Sequence, residues 1–190
     1  MARLQIPTDD QLTPEQKEVV SEVLAGIRSS VPKPVYAWMR NPEFARRAQK
    51  LGELLRFQTI LAKHESELAI LICGAHWASH YEWTAHRKIA LEAGLDPKTI
   101  ADLAAGREPF VRDEREEIVY QVASTLLRTR RLPDQLYGKG RDVLTERGMV
   151  ELVGILGYYS LISLTINAFE LGLPEHVAQE LNDPDFTNKV

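Results

Sequence analysis

Apolar side chains recur three and four positions apart along most of this chain. No stretch alternates with period two and β-branched enrichment, so the pattern predicts an all-α protein. The first helix opens at Thr13-Pro14-Glu15-Gln16, an N-cap followed by proline at the first helical position and an acidic first turn. It carries Val19, Val20, Val23, Leu24 and Ile27 on one face. Pro32 and Pro34 break it, and Asn41-Pro42-Glu43 opens a second helix predicted to reach about Ala62. A third starts near Glu65 and covers Leu68, Ala69, Leu71 and Ile72. Ser79-His80-Tyr81-Glu82 has the spacing of a capping box, so a helix restarts there, and Gly94-Leu95-Asp96-Pro97 ends it. A short helix from Pro97 to about Ala105 follows. An amphipathic one from Arg112 to about Arg130 turns Ile118, Val119, Val122, Ala123, Leu126 and Leu127 inward. Pro133 opens another that stops at Gly148, and Met149 to Leu171 closes the core. The last dozen residues are polar and read as a tail or a strap to another subunit.

The length of 190 residues fits one domain. Its expected divisions are a helical N-terminal extension over 1–40, a helical domain over 41–175 and a tail over 176–190. A weak internal helical repeat is visible: Pro42-Glu43, Glu67-Leu68 and Gly94-Leu95 are echoed by Pro133-Asp134, Glu151-Leu152 and Gly172-Leu173. Lys and Arg number 23 against 27 Asp and Glu, a net charge of −4, which argues against nucleic acid or an anionic membrane as a partner. The 18 uncharged residues between Glu151 and Glu170 have the length of a membrane span. Gly154, Gly157, Tyr158, Tyr159, Ser160, Ser163, Thr165 and Asn167 make the segment read instead as a buried helix. The N-terminus has no apolar run of the secretory type, and the single cysteine, Cys73, excludes an internal disulfide or a CxxC pair. Both point to the cytoplasm.

Candidate chemistry is concentrated in Glu67, Cys73, His76, His80, Tyr81, Glu82, Trp83 and His86. Glu82 and His86 are four residues apart, on one face of a predicted helix. A carboxylate beside an imidazole raises the ring's pKa and fixes its tautomer, as a general acid or base near neutral pH requires. Plainer readings stand beside this one. Ser79 and Glu82 are capping residues, Trp77 and Trp83 are packing residues, and a Glu/His pair on a helix surface can be inert. His76 and His80, also four apart, have the spacing of a two-histidine metal site but lack an evident third ligand.

The runs Glu67-Leu68-Ala69-Ile70-Leu71, Tyr81-Glu82-Trp83-Thr84-Ala85-His86 and Ala93-Gly94-Leu95 together resemble the carboxymuconolactone decarboxylase and alkylhydroperoxidase D superfamily. So do Glu151-Leu152-Val153-Gly154-Ile155-Leu156-Gly157-Tyr158-Tyr159 and Asn167-Ala168-Phe169, over roughly residues 40–174. The resemblance implies an alkylhydroperoxidase D-like helical bundle, a homo-oligomer (trimer or hexamer), a small-molecule substrate, and neither cofactor nor metal. In its peroxidase branch a glutamate is followed after 12 and 15 residues by two cysteines and after 19 by a histidine. Counting from Glu67 gives Ser79, Glu82 and His86. Oxygen replaces both thiols, and neither a hydroxyl nor a carboxylate forms a disulfide or reduces peroxide through a sulfenic acid. The resemblance then implies cofactor-independent acid/base chemistry by Glu67, Glu82 and His86, a decarboxylation or related lyase or isomerase step on a small carboxylate or lactone. Ser79, Tyr81, Trp83 and Arg87 are the candidate substrate-binding residues, with Arg87 for a carboxylate and Trp77 as a further pocket wall. An antioxidant protein of the alkylhydroperoxidase type and a non-catalytic oligomeric binding protein are the alternatives.

Overall fold

The structure is a computed structural model that describes residues 2–174 and 176–183. Among these there are eight α-helices and no strand. The helices are α1 (Pro14–Ala25), α2 (Lys33–Trp38), α3 (Pro42–Phe57), α4 (Lys63–His76), α5 (His80–Glu92), α6 (Pro97–Ala104), α7 (Glu114–Thr129) and α8 (Asp134–Phe169). The centre is α4, in which every residue from Glu65 to Gly74 is buried, with α5, α6, α7 and α8 packed around it. A helix enclosed on all sides has no solvated face, so its sequence reads as an apolar run from Leu68 to Ala75, and its buried Glu65 and Glu67 are paired with Arg115 and His86. The apolar half of α8 is long and apolar enough to cross a membrane, yet 61% of that window is buried within the protein. Its packing against α3, α4 and α7 accounts for its composition.

Local chemistry moves several boundaries from their expected places. Pro34 lies in the first turn of α2 rather than breaking the chain, because a missing N–H does no harm there. Helix α3 stops at Phe57, short of Ala62; the Ile60 N–H donates to Glu151 Oε2 at 2.7 Å, and Glu65 Oε2 accepts from the Ala62 N–H at 2.8 Å to start α4. Helix α8 runs through Gly148 and is interrupted instead at Thr145 (φ 67°, ψ 166°), whose hydroxyl accepts from the Gly148 N–H at 3.3 Å and so caps the second half. Gly148 is small because a side chain there would press on Leu144. Gly94, by contrast, does end α5, at φ 86°, with the Leu95 N–H returning to the Ala90 carbonyl.

Two features position the site. The chain reverses between α4 and α5 through Ala78 (φ 47°), where the Ser79 N–H donates to the Gly74 carbonyl, and the two helices fold back on each other as a hairpin. Helix α2 is pinned to α8 by the Trp38 indole N–H, which donates to Thr165 Oγ1 at 2.9 Å. The segment after α8 turns back onto α5 of its own chain: Glu180 accepts from the Trp83 indole, Asp183 contacts His80, and Leu181 is buried. As far as Asp183, the tail clasps α5 of its own chain. Glu175, at the expected domain boundary, and residues 184–190 of the tail lie outside the described residues.

Candidate active site

The α4–α5 hairpin sets Glu67, in the first half of α4, beside His86, in the middle of α5. His86 Nδ1 is 2.6 Å from Glu67 Oε2 and His86 Nε2 is 2.9 Å from Glu82 Oε1. The other Glu67 oxygen meets Lys63 Nζ at 2.6 Å, one turn back on α4. The result is a chain of alternating charge, Lys63–Glu67–His86–Glu82. Glu67 is 0%, His86 4% and Glu82 5% exposed, and the Tyr159 ring of α8 stands edge-on to the imidazole with centroids 5.0 Å apart.

Burial by itself drives the His86 pKa down, but the charges of Glu82 and Glu67 outweigh it and hold the ring above its ordinary 6.5. Burial likewise raises the Glu67 carboxyl, and His86 and Lys63 reverse that effect, leaving it below 4.5. The imidazolium form donates from both nitrogens, one proton toward each carboxylate. Tyr159, fully enclosed, is pushed well above 10 by burial and stays a neutral phenol.

Glu82 and His86 form one side of a cavity of about 410 Å³. Trp38, Phe57, Tyr81, Tyr158 and Tyr159 supply aromatic walls, Ile27 to Val35 cover it from the N-terminal segment, and Arg28 and Arg56 contribute its two guanidinium groups. Gly52 makes room for this wall, since a side chain there would collide with the Tyr158 hydroxyl.

Of the residues expected to bind substrate, only Tyr81 lines the cavity. Trp83 is buried, with its indole N–H donating to Glu180 Oε2 at 3.0 Å, and Arg87 pairs with the same carboxylate at 3.1 Å. Both serve the clasp on α5. Ser79 sits at the N-cap position of α5, but its hydroxyl is buried and caps nothing, so the expected capping box does not form; Glu82 bonds His86 instead. The Trp77 indole donates to Ser160. Cys73 is enclosed, with Sγ 3.6 Å from the Leu156 carbonyl, and burial pushes its thiol up to about 11, so thiolate chemistry is unfavourable there. His76 ends α4 and His80 begins α5, so a turn separates the pair that looked like a helical metal site, and His80 faces Asp183. Arg28 and Arg56 escaped the sequence reading because they look like solvated charges, one in a Ser/Pro-rich loop and one in the last turn of α3, where a cation suits the helix dipole.

The protein is thus an all-α bundle with a Glu–His–Glu chain on its α4–α5 hairpin, beside an aromatic-walled cavity. Residues 42–125 match the carboxymuconolactone decarboxylase family. The fold is similar to that of an uncharacterized peroxidase-related protein from Silicibacter sp. TM1040, at 17% identity and a TM-score of 0.71. It is also similar to a cysteine-to-alanine variant of the debrominase Bmp8 in complex with 2,3,4-tribromopyrrole, at 12% identity and a TM-score of 0.69. In both cases the likeness covers 88% of this chain and 89% of the other. No curated protein is a significant match. The family match takes in Arg56, Glu67, Glu82 and His86, while Arg28, Trp38, Tyr158 and Tyr159 lie outside it.

Proposed function

We propose that this protein transfers protons to and from carbon in a small carboxylate or lactone, without a cofactor, and that decarboxylation is the step it catalyses. The observation that carries this reading is that Glu82, at the cavity wall, is joined through His86 to the buried Glu67–Lys63 pair. In such a step the bond to the departing carboxylate breaks, its electron pair enters a conjugated carbonyl as a dienolate, and carbon dioxide leaves. Glu82, having taken the Nε2 proton of His86, gives it to the dienolate carbon, and His86 recovers a proton from solvent. Glu67 orients the ring and stabilises its charged form. The thiol route of a peroxidase has no support here, because oxygen stands at both family cysteine positions and Cys73 is enclosed. Incubation with a carboxymuconolactone in deuterated water is expected to release carbon dioxide and leave one deuterium in the product. Neither event across a series of carboxy-lactones would contradict the reading.

We also propose that the chain works as a homo-oligomer, a trimer or hexamer. Val150, Val153 and Leu164 stand outward on α8 at 72%, 45% and 48% exposure, and Leu51 and Leu54 stand outward on α3. An apolar surface of that kind favours association. Sedimentation is expected to give a species several times 21.5 kDa, whereas a folded 21.5 kDa monomer at micromolar concentration would contradict the proposal.

A further inference from the structure

The arginines of this protein generally have acceptors. Arg46 bonds Glu22, Arg107 bonds Asp102, Arg112 bonds Glu116, Arg115 bonds Glu65 and Arg87 bonds Glu180. Arg28 and Arg56 differ. Both line the cavity beside Glu82 and His86, and the Nε of each is buried without a hydrogen-bond partner. Neither guanidinium is within ion-pair distance of a carboxylate among the described residues. Instead the two share one platform, the Phe57 ring, with their central carbons 5.9 and 5.1 Å from its centroid. A guanidinium stacked on an aromatic face keeps its N–H edge free for an acceptor, and a buried N–H with no acceptor is destabilising until one arrives.

We propose that Arg28 and Arg56 are an anion subsite of this same cavity, which holds a carboxylate of the substrate while the substrate's apolar body lies against Trp38 and Tyr158. The inference rests on the reading of the cavity as an acid/base site and adds to it the group that selects and orients the substrate. Planar forks match a carboxylate in pairs of parallel hydrogen bonds, which a single ammonium does not do. Among the described residues that line the cavity Glu82 is the one acid, and it repels an anion, so the charges of the lining impose a direction: carboxylate toward the arginines, reacting carbon toward Glu82. The carboxylate held by the arginines is therefore one that stays on the molecule, because binding it more tightly than the transition state would slow its loss. The ligand class is a ring or short conjugated body bearing a retained carboxylate, and half of the subsite comes from residue 28, outside the span matched by the family.

Calorimetric titration of the full chain with benzoate, and with benzamide as its neutral counterpart of like shape, tests the proposal without any turnover. Benzoate is expected to bind at least about ten-fold more tightly than benzamide, and Arg28→Gln or Arg56→Gln to weaken benzoate about ten-fold while leaving benzamide unchanged. Arg28→Lys and Arg56→Lys, which keep charge but lose the fork, should fall between. Thermal melts of each variant establish that it is folded, and the salt dependence of wild-type binding, steep for benzoate and flat for benzamide, is read without any variant. Equal binding of the two probes, no benzoate binding at millimolar concentration, or benzoate affinity unaffected in both glutamine variants would each overturn the subsite. Glu82→Gln should keep or improve benzoate binding. Turnover surviving in that variant would remove the acid/base reading and leave the subsite standing, whereas arginine-independent binding with turnover intact would do the reverse.

Discussion

Turnover falls about 10²–10⁴-fold in Glu82→Gln, the range that a positioned general acid or base supplies. Glutamine occupies the same volume, and its carbonyl oxygen accepts the His86 Nε2 proton that Glu82 Oε1 accepts at 2.9 Å. It cannot carry that proton on to carbon. The loss should therefore appear in kcat, with KM little altered, because the substrate's carboxylate is held elsewhere in the cavity. A kcat within a few-fold of wild type would remove the acid/base reading, because Glu82 is the group that delivers the proton to carbon.

The second large effect is on stability. Glu67→Ala strips the enclosed His86 of one of its two carboxylates and should destabilise the fold by about 3 kcal/mol, the low end for breaking a buried pair because Glu82 remains. For a chain of this size that corresponds to a melting temperature lower by about 6–12 °C. The effect depends on pH, and its sign follows from the two shifts. His86, held above 6.5 when folded, contributes stability that is complete below pH 6.5 and fades as the pH rises through its folded value. Glu67, held below 4.5, contributes stability that is complete above pH 4.5 and fades as the pH falls through its folded value. Both are in full force between pH 4.5 and 6.5, so melts at pH 5.5 should show the largest gap between wild type and variant, and melts at pH 9 a smaller one. A gap that is constant with pH would mean that the imidazole is neutral in the folded state.

The helical class and the meeting of Glu67, Glu82 and His86 were legible in the sequence because both rest on local rules. Helix spacing joins Glu82 to His86, and a hairpin of two adjacent helices brings Glu67 across. What stayed illegible depends on distant partners. Thr145 interrupts α8, where the sequence offers Gly148 as the breaker, because a hydroxyl can cap and a glycine can be needed for room alone. Trp83 and Arg87 look like pocket residues until Glu180, almost a hundred positions away, takes both. Arg28 and Arg56 look like surface charges until folding sets them on one phenyl ring. The aromatic wall from Tyr158 and Tyr159 was visible as a motif but not as a wall, since only the packing of α8 against α3 and α4 turns those side chains toward the cavity.

The protonation state of His86 carries the account, and a pH titration of its imidazole by nuclear magnetic resonance measures it directly. The relay predicts that both ring nitrogens remain protonated as the pH rises past 6.5, with the midpoint lowered by Glu67→Gln and by Glu82→Gln alike. A wild-type midpoint at or below 6.5, or one that neither variant moves, would contradict it.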